Sequence, residues 1–251
     1  MTRIIMCGCN GKMGQTITRI VSEDPDAAIV AGVDPFDGIP NSYPVFADIK
    51  DCNVEADVVI DFSSAKAADG LMDYCSQKGL GLVLCTTGLS EEQIERAKAL
   101  AEKIPVLRSA NMSLGINLLE KLLVDVTRVL AEAGFDIEIV EKHHNLKKDA
   151  PSGTALALAD AVSEGLDEPY EYVYDRSARS IQRPKKEIGI SAVRGGTIVG
   201  DHDVIFAGED EVITFSHRAY SKAVFGKGAV QAAKFLQGAS AGLYTMSDVI
   251  G

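Results

Sequence analysis

Two observations in the sequence predict an α/β chain in two parts, a doubly wound parallel sheet followed by a smaller α+β domain with an open mixed sheet. Over the first 111 residues, short apolar β-prone runs alternate with stretches of helical period. After Ser113 that alternation stops, and a long amphipathic helix leads into strands of period 2. A third observation places the first part more closely. The opening strand, residues 3–7, ends at Gly8-Cys9-Asn10-Gly11-Lys12-Met13-Gly14, after which Met13, Ile17, Ile20 and Val21 recur at helical spacing. A second strand, residues 28–33, ends in Asp34. Strand, glycine loop, helix, strand and acid form the first half of a Rossmann-type dinucleotide-binding fold.

The chemistry explains the pattern. Glycines let the backbone turn sharply and approach a pyrophosphate, the helix N-terminus stabilises its charge, and Asp34 can bond an adenosine ribose. Asp34 comes 20 residues after Gly14, the expected interval of about 20. The glycines at 8, 11 and 14 are a variant of the commoner spacing. Further βα units follow. Strands are expected at 57–62, 80–85 and 105–108, with helices over 65–78 and from Ser90, which forms a capping box with Gln93, through Ala101. Ligands of such sheets bind beyond the carboxyl ends of the strands, so residues 61–64, 85–88 and 109–112 are expected beside the nucleotide.

The second part opens with an amphipathic helix over 114–133, with Leu118, Leu122, Val126 and Val129 on one face. Phe135, Ile137 and Ile139 then alternate along a strand that delivers His143 and His144. A helix follows over 153–164. The polar stretch 167–183 reads as irregular, and strand-like runs at 188–194, 197–207 and 211–217 come next, the first two joined by a tight turn at Gly195-Gly196. A terminal helix over 223–237 is expected to pack on the first part. The resulting domain expectation is 1–111 with 223–251, and 112–222.

Chemistry concentrates at residues 141–155. Two of the four histidines stand side by side there, Lys147 follows, and Pro151-Ser152-Gly153-Thr154 opens a helix. Histidine moves protons near neutrality. A turn of this composition offers backbone N–H groups and a hydroxyl to a carboxylate or phosphate. The combination suits an acidic small molecule. His202 and His217 lie in expected strands and are assigned packing or substrate-periphery roles.

Composition excludes other classes. A net charge of −11 argues against a nucleic-acid partner. No apolar run is long enough to cross a membrane, and the amino terminus reads as a strand rather than a signal peptide. Five cysteines (Cys7, Cys9, Cys52, Cys75 and Cys85), with no Cys-x-x-Cys pair, read as thiols of a reducing cytoplasm, and no metal site is expected.

The stretch Glu141-x-His143-His144-x-x-Lys147-x-Asp149-x-Pro151-Ser152-Gly153-Thr154-Ala155 closely resembles the signature of the dihydrodipicolinate (4-hydroxy-tetrahydrodipicolinate) reductase family. Gly8-x-x-Gly11-Lys12-Met13-Gly14, Asp61-Phe62-Ser63, Thr86-Thr87-Gly88, Ala110-Asn111-Met112-Ser113, Val193-Arg194-Gly195-Gly196 and His217-Arg218-Ala219 extend the resemblance over nearly the whole chain. It implies a nicotinamide-dependent reductase of lysine and diaminopimelate biosynthesis, acting on a cyclic imine dicarboxylate. It also implies a homotetramer built through the second sheet, so that 112–222 becomes the substrate-binding and oligomerisation domain. Carried over by position, His143 and Lys147 would move protons, and His144, Ser152, Gly153 and Thr154 would hold substrate. Gly8, Cys9, Asn10, Gly11, Lys12, Met13, Asp34, Cys85, Thr86, Thr87, Ser109, Ala110, Asn111 and Met112 would line the cofactor. Cys85 departs from the glycine common before Thr-Thr-Gly, and Lys222 stands where arginine is frequent. Pro35-Phe36 follows Asp34 where relatives that accept NADPH place a basic residue, so NADH is expected to be preferred, with Lys12 the candidate cation for NADPH. The rivals are another two-domain amino-acid dehydrogenase and a non-catalytic NAD(H) sensor. The retained His143, His144 and Lys147 disfavour the sensor.

Overall fold

The computed structural model describes residues 1–177 and 179–251. The chain divides into two units, Met1–Leu114 with Ala223–Gly251, and Gly115–Lys222. The first unit runs β1 (Thr2–Cys7), α1 (Lys12–Ser22), β2 (Ala27–Val33), β3 (Val45–Phe46), a 3-10 turn (Ile49–Asp51), β4 (Val58–Asp61), α2 (Ala65–Lys78), β5 (Gly81–Leu84), α3 (Glu91–Leu100) and β6 (Pro105–Leu107). The helix α4 (Leu114–Glu132) begins at its edge. The second unit continues with β7 (Asp136–His143), α5 (Gly153–Glu164), β8 (Glu171–Val173), β9 (Glu187–Arg194), β10 (Gly200–Ala207) and β11 (Val212–Ala219). The chain then returns to the first unit as α6 (Ala223–Leu236), β12 (Gly242–Tyr244) and α7 (Met246–Ile250).

The first sheet has the order β12-β6-β5-β4-β1-β2-β3, and every pair in it is parallel. Its central strands are apolar on both faces because both are covered. One core gathers Ile5, Val59, Leu71, Leu82 and Val106, and the other gathers Ile4, Ile17, Ile60, Val83 and Val230 from α6. Local signals match the elements. Ser90 and Gln93 close the expected capping box of α3, and Gly79 ends α2 in the left-handed region at φ 66°. The edge strands β3 and β12, two and three residues long, carry too little period to be read from sequence.

The second sheet has the order β11-β10-β7-β9-β8. β9 runs parallel to β7 and β8, whereas β10 is antiparallel to β7 and β11, so the sheet is mixed. Leu119, Leu123, Leu158 and Val162 from the two helices pack on Ile137, Ile139, Ile190, Val204 and Phe206.

Three expectations need correction here. The Gly195-Gly196 turn does not join neighbouring strands, because β9 and β10 flank β7. The turn instead crosses the end of β7, where Gly195 N–H donates to the His143 carbonyl at 2.9 Å and Asn145 N–H donates to that of Gly196 at 3.2 Å. On α4 the buried stripe is Ile116, Leu119, Leu123 and Thr127, while Leu118, Leu122 and Val129 are exposed. The helix is apolar nearly all round, so period alone offered two stripes. Finally, the stretch 167–183 contains β8, and its arginines are tied down by carboxylates. Arg176 pairs with Glu187 at 2.5 Å and Glu138 at 2.7 Å, and Arg183 pairs with Glu138 at 2.9 Å.

Candidate active site

In the first unit the site is built from backbone and from missing side chains. Gly8 has φ 76°, and a Cβ there would lie 2.6 Å from the Phe62 carbonyl oxygen, so only glycine lets the loop close on β4. A Cβ on Gly14 would run into the carbonyls of Gly8 and Cys9, so the start of α1 can seat under the loop only without one. No side chain caps α1, and its first turn holds no acid, which leaves a helix N-terminus suited to a pyrophosphate. A cavity of about 590 Å³ opens here, lined by Gly8, Gly11, Val33, Asp34, Phe62, Ser63 and Ser64 among others. The Asp34 carboxylate is held at its edge by N–H groups of Asn10 and Phe36, each at 3.0 Å. These features fit a dinucleotide.

The other expected cofactor residues sit differently. Cys9 is fully buried against Gly32, and burial pushes its thiol up to about 11, so its side chain is core and only its backbone belongs to the loop. Asn10 braces the next loop through the Phe36 carbonyl and Asn41. Met13 is half-buried in the first turn of α1, and Lys12 is exposed outside the cavity lining. Cys85, Thr86 and Thr87 follow β5, and Ser109, Ala110, Asn111 and Met112 follow β6. They stand on the same carboxyl edge, one and two strands beyond β4, and do not line this cavity. The cavity also contains Lys50, from the 3-10 turn, and Lys66, from the first turn of α2. Both were missed. A lysine at a helix N-terminus opposes the macrodipole, and that misfit was the available signal for Lys66.

Asp61 ends β4 at 0% exposure. Its Oδ1 accepts from Ser63 N–H at 3.0 Å and Ser63 O–H at 2.5 Å, whereas Oδ2 and the Thr86 hydroxyl, buried beside each other, close no hydrogen bond of good geometry among the described residues. Burial raises its pKa, and Ser63 with the Thr86 hydroxyl offsets this only in part. Burial, with the Asp61 charge second, likewise pushes up the Cys75 and Cys85 thiols. The five cysteines are free thiols. Among the described residues no group of His, Cys, Asp or Glu is placed to hold a metal ion.

In the second unit, alternate residues of β7 face the helices, and that inward row reads Ile137, Ile139, Glu141, His143. Its last two members are therefore buried polar groups. Glu141, at 0% exposure, meets His143 Nδ1 at 2.6 Å, two nitrogens of Arg194 at 2.7 and 2.8 Å, and Ser152 N–H at 3.0 Å. Burial alone would raise its pKa, but Arg194, then His143 and the Ser152 N–H, outweigh burial and hold it below the usual carboxylate range. Ser152 caps α5, its hydroxyl accepting from Ala155 N–H at 3.1 Å and meeting His202 Nε2 at 3.1 Å. Ser152 is thus buried and engaged within the protein. Gly153, which starts the helix, is exposed, and Thr154 is half-buried beside it. His202 packs edge-on to His143 with centroids 5.2 Å apart, and burial, with His143 next, lowers its pKa to about 4. His202 is therefore neutral. Beyond the strand, His144 is half-buried, and Lys147 pairs with Asp149 at 2.8 Å. Asp149 is held low chiefly by that bond.

Fold and chemistry together define a class, the two-unit nicotinamide-dependent oxidoreductases, here with histidine, lysine and a helix start in the second unit. Two family models match, the dihydrodipicolinate reductase N-terminus over residues 2–112 and its C-terminus over residues 115–250. A 4-hydroxy-tetrahydrodipicolinate reductase from Caldanaerobacter subterraneus subsp. tengcongensis is 54% identical, covering 100% of this chain and 98% of that protein. One from Clostridium tetani is 50% identical, covering 100% and 97%. The structure of a dipicolinate-bound dihydrodipicolinate reductase from Paenisporosarcina sp. TG-14 superposes with a TM-score of 0.79 at 28% identity, covering 98% of this chain and 97% of that one. The chain belongs to the dihydrodipicolinate reductase family and is an NAD(P)H-dependent oxidoreductase.

Proposed function

We propose that this chain reduces 4-hydroxy-tetrahydrodipicolinate to tetrahydrodipicolinate, with His143 and Lys147 moving protons. The observation that carries the reading is the second unit's grouping of His143, Lys147 and the start of α5 within one stretch, 141–155, in a chain whose first unit fits a dinucleotide. Loss of water from the 4-hydroxy ring leaves a conjugated imine. A reduced nicotinamide held in the first unit would supply a hydride, and the resulting enamine would take up a proton from an acid beside the ring. Two substrate carboxylates favour the charged forms of a nearby lysine and histidine. Gly153 and Thr154 at the helix start, with His144, are assigned to those carboxylates. Residues 85–87 and 109–112 extend the nucleotide site along the sheet edge.

NADH is proposed as the preferred cofactor, because Asp34 suits a ribose hydroxyl and repels a 2′-phosphate. NADPH is accepted through Lys50 and Lys66, which line the cavity with Asp34, rather than through Lys12, which does not. Free thiols support a cytoplasmic setting. A homotetramer through the second sheet is the proposed assembly, tested by sedimentation of the purified protein.

The deciding experiment is nucleotide oxidation in a coupled assay, with substrate generated from pyruvate and aspartate semialdehyde by a dihydrodipicolinate synthase. Turnover is expected with both nucleotides and a higher kcat/KM with NADH. A folded, NADH-binding protein without turnover would refute the reading.

A further inference from the structure

We propose that Glu141, clamped by Arg194, is the positioning residue of the second unit, fixing the tautomer of His143 and the seat at Ser152 with one carboxylate. The inference rests on the reading of His143 as a proton mover. Glu141 and His143 are two apart on β7 and share its helix-facing side. An ionised carboxylate is acceptor-only with about four lone-pair sites, and here four donors fill them. Oε1 takes Arg194 at 2.7 Å and Ser152 N–H at 3.0 Å, and Oε2 takes Arg194 at 2.8 Å and His143 Nδ1 at 2.6 Å. Arg194 is itself fixed, since the nitrogen that meets Oε1 also donates to the Asp149 carbonyl at 2.6 Å.

Two consequences follow from an acceptor-only partner. Nδ1 of His143 must carry a hydrogen, which makes Nε2 the atom that gains or loses a proton. That edge of the ring lies against Gly200, where a Cβ would come within 3.0 Å of Nε2. The missing side chain on β10 leaves Nε2 the room to act. The second consequence concerns distance. Because the same carboxylate holds the first N–H of the turn before α5, it ties the proton mover and the helix start into one rigid piece.

Glu141→Gln is the informative change, because it keeps the shape and removes the acceptor-only character. Whichever way the amide turns, its NH2 faces two donors. In the place of Oε1 it would meet two fixed donors, Arg194 and Ser152 N–H, whereas in the place of Oε2 it meets His143, whose ring can accept at Nδ1; that orientation is favoured, and the neutral tautomer switches to Nε2–H. A residue that only stabilised the fold would not move a tautomer.

The test combines nitrogen NMR of histidine-labelled protein with steady-state kinetics, for wild type, Glu141→Gln and His143→Ala. We expect a hydrogen-bonded Nδ1–H signal in wild type that disappears in both variants. We expect kcat to fall about 10²–10⁴-fold in His143→Ala, the worth of a positioned acid, and on the order of 10²-fold in Glu141→Gln, with the KM for NADH within twofold of wild type. If Glu141→Gln keeps its kcat while His143→Ala loses it, the positioning role is refuted and the proton-mover reading stands. If His143→Ala keeps its kcat, both fall. Should Glu141→Gln fail to fold, the wild-type spectrum decides alone, because an Nε2–H tautomer at His143 would overturn the proposal.

Discussion

The end of β4 and the end of β7 each hold a carboxylate at 0% exposure, and their surroundings act in opposite directions. Asp61 keeps one oxygen without a well-formed hydrogen bond, no cation among the described residues faces it, and burial raises its pKa. Glu141 has every lone pair taken, two of them by an arginine, and stays ionised. The difference separates two ways of building a site. Around β4 the cavity is shaped by backbone turns and absent side chains, and the buried acid there is tolerated most cheaply as a neutral group. Around β7 the charge itself is the organiser. A buried ion is kept there because its four donors come from the parts that must be held in register.

The comparison breaks most sharply if charge in the second region proves dispensable. Lys147→Ala should lower kcat about 10²–10⁴-fold and lower kcat/KM with it, measured in the coupled assay. An effect on KM alone would demote Lys147 to a binding residue. A smaller effect sharpens the first region. Replacing both Lys50 and Lys66 by alanine should raise the KM for NADPH about tenfold, the loss of one charge-assisted contact of about 1.4 kcal/mol, and leave that for NADH nearly unchanged. Equal changes for both nucleotides would remove these lysines from 2′-phosphate recognition.

The smallest effect concerns Asp61. A carboxyl whose folded pKa is raised costs least below the ordinary aspartate range near 4, and its cost grows as pH rises through the folded value. Asp61→Asn keeps an acceptor for Ser63 and can turn its amide to the Thr86 hydroxyl. Its Tm should exceed that of wild type by about 2–4 °C at neutral pH, the worth of roughly 1 kcal/mol in a chain this size, and the gap should close near pH 4. Glu141 has the opposite sign, because its pKa is lowered, so its contribution is present above the ordinary glutamate range and is lost on acidification. A Tm gap for Asp61→Asn that widened toward acid would contradict the account.

The two regions also differed in how far they could be read from sequence. Gly8 and Gly14 were legible because a backbone that must turn or touch another backbone leaves glycine as its only residue. His143, Lys147 and the α5 start were legible because they are contiguous. Arg194 was visible only inside its Val-Arg-Gly-Gly block, since its meeting with Glu141 depends on β9 pairing beside β7, a register no local period carries. The same topology hid the true course of the Gly195-Gly196 turn. On α4 the apolar surplus concealed which stripe packs. His202 read as a strand residue, and its bond to Ser152 appears only once β10 is laid antiparallel to β7.

The most direct test of this division is to measure, for Glu141→Gln, the Kd for NADH by its fluorescence and kcat in the coupled assay, with Asp61→Asn run beside it. The account predicts that Glu141→Gln binds NADH within twofold of wild type while turning over on the order of 10² more slowly, and that Asp61→Asn stays near wild type in both. Loss of NADH binding in Glu141→Gln as large as its loss of turnover would contradict it.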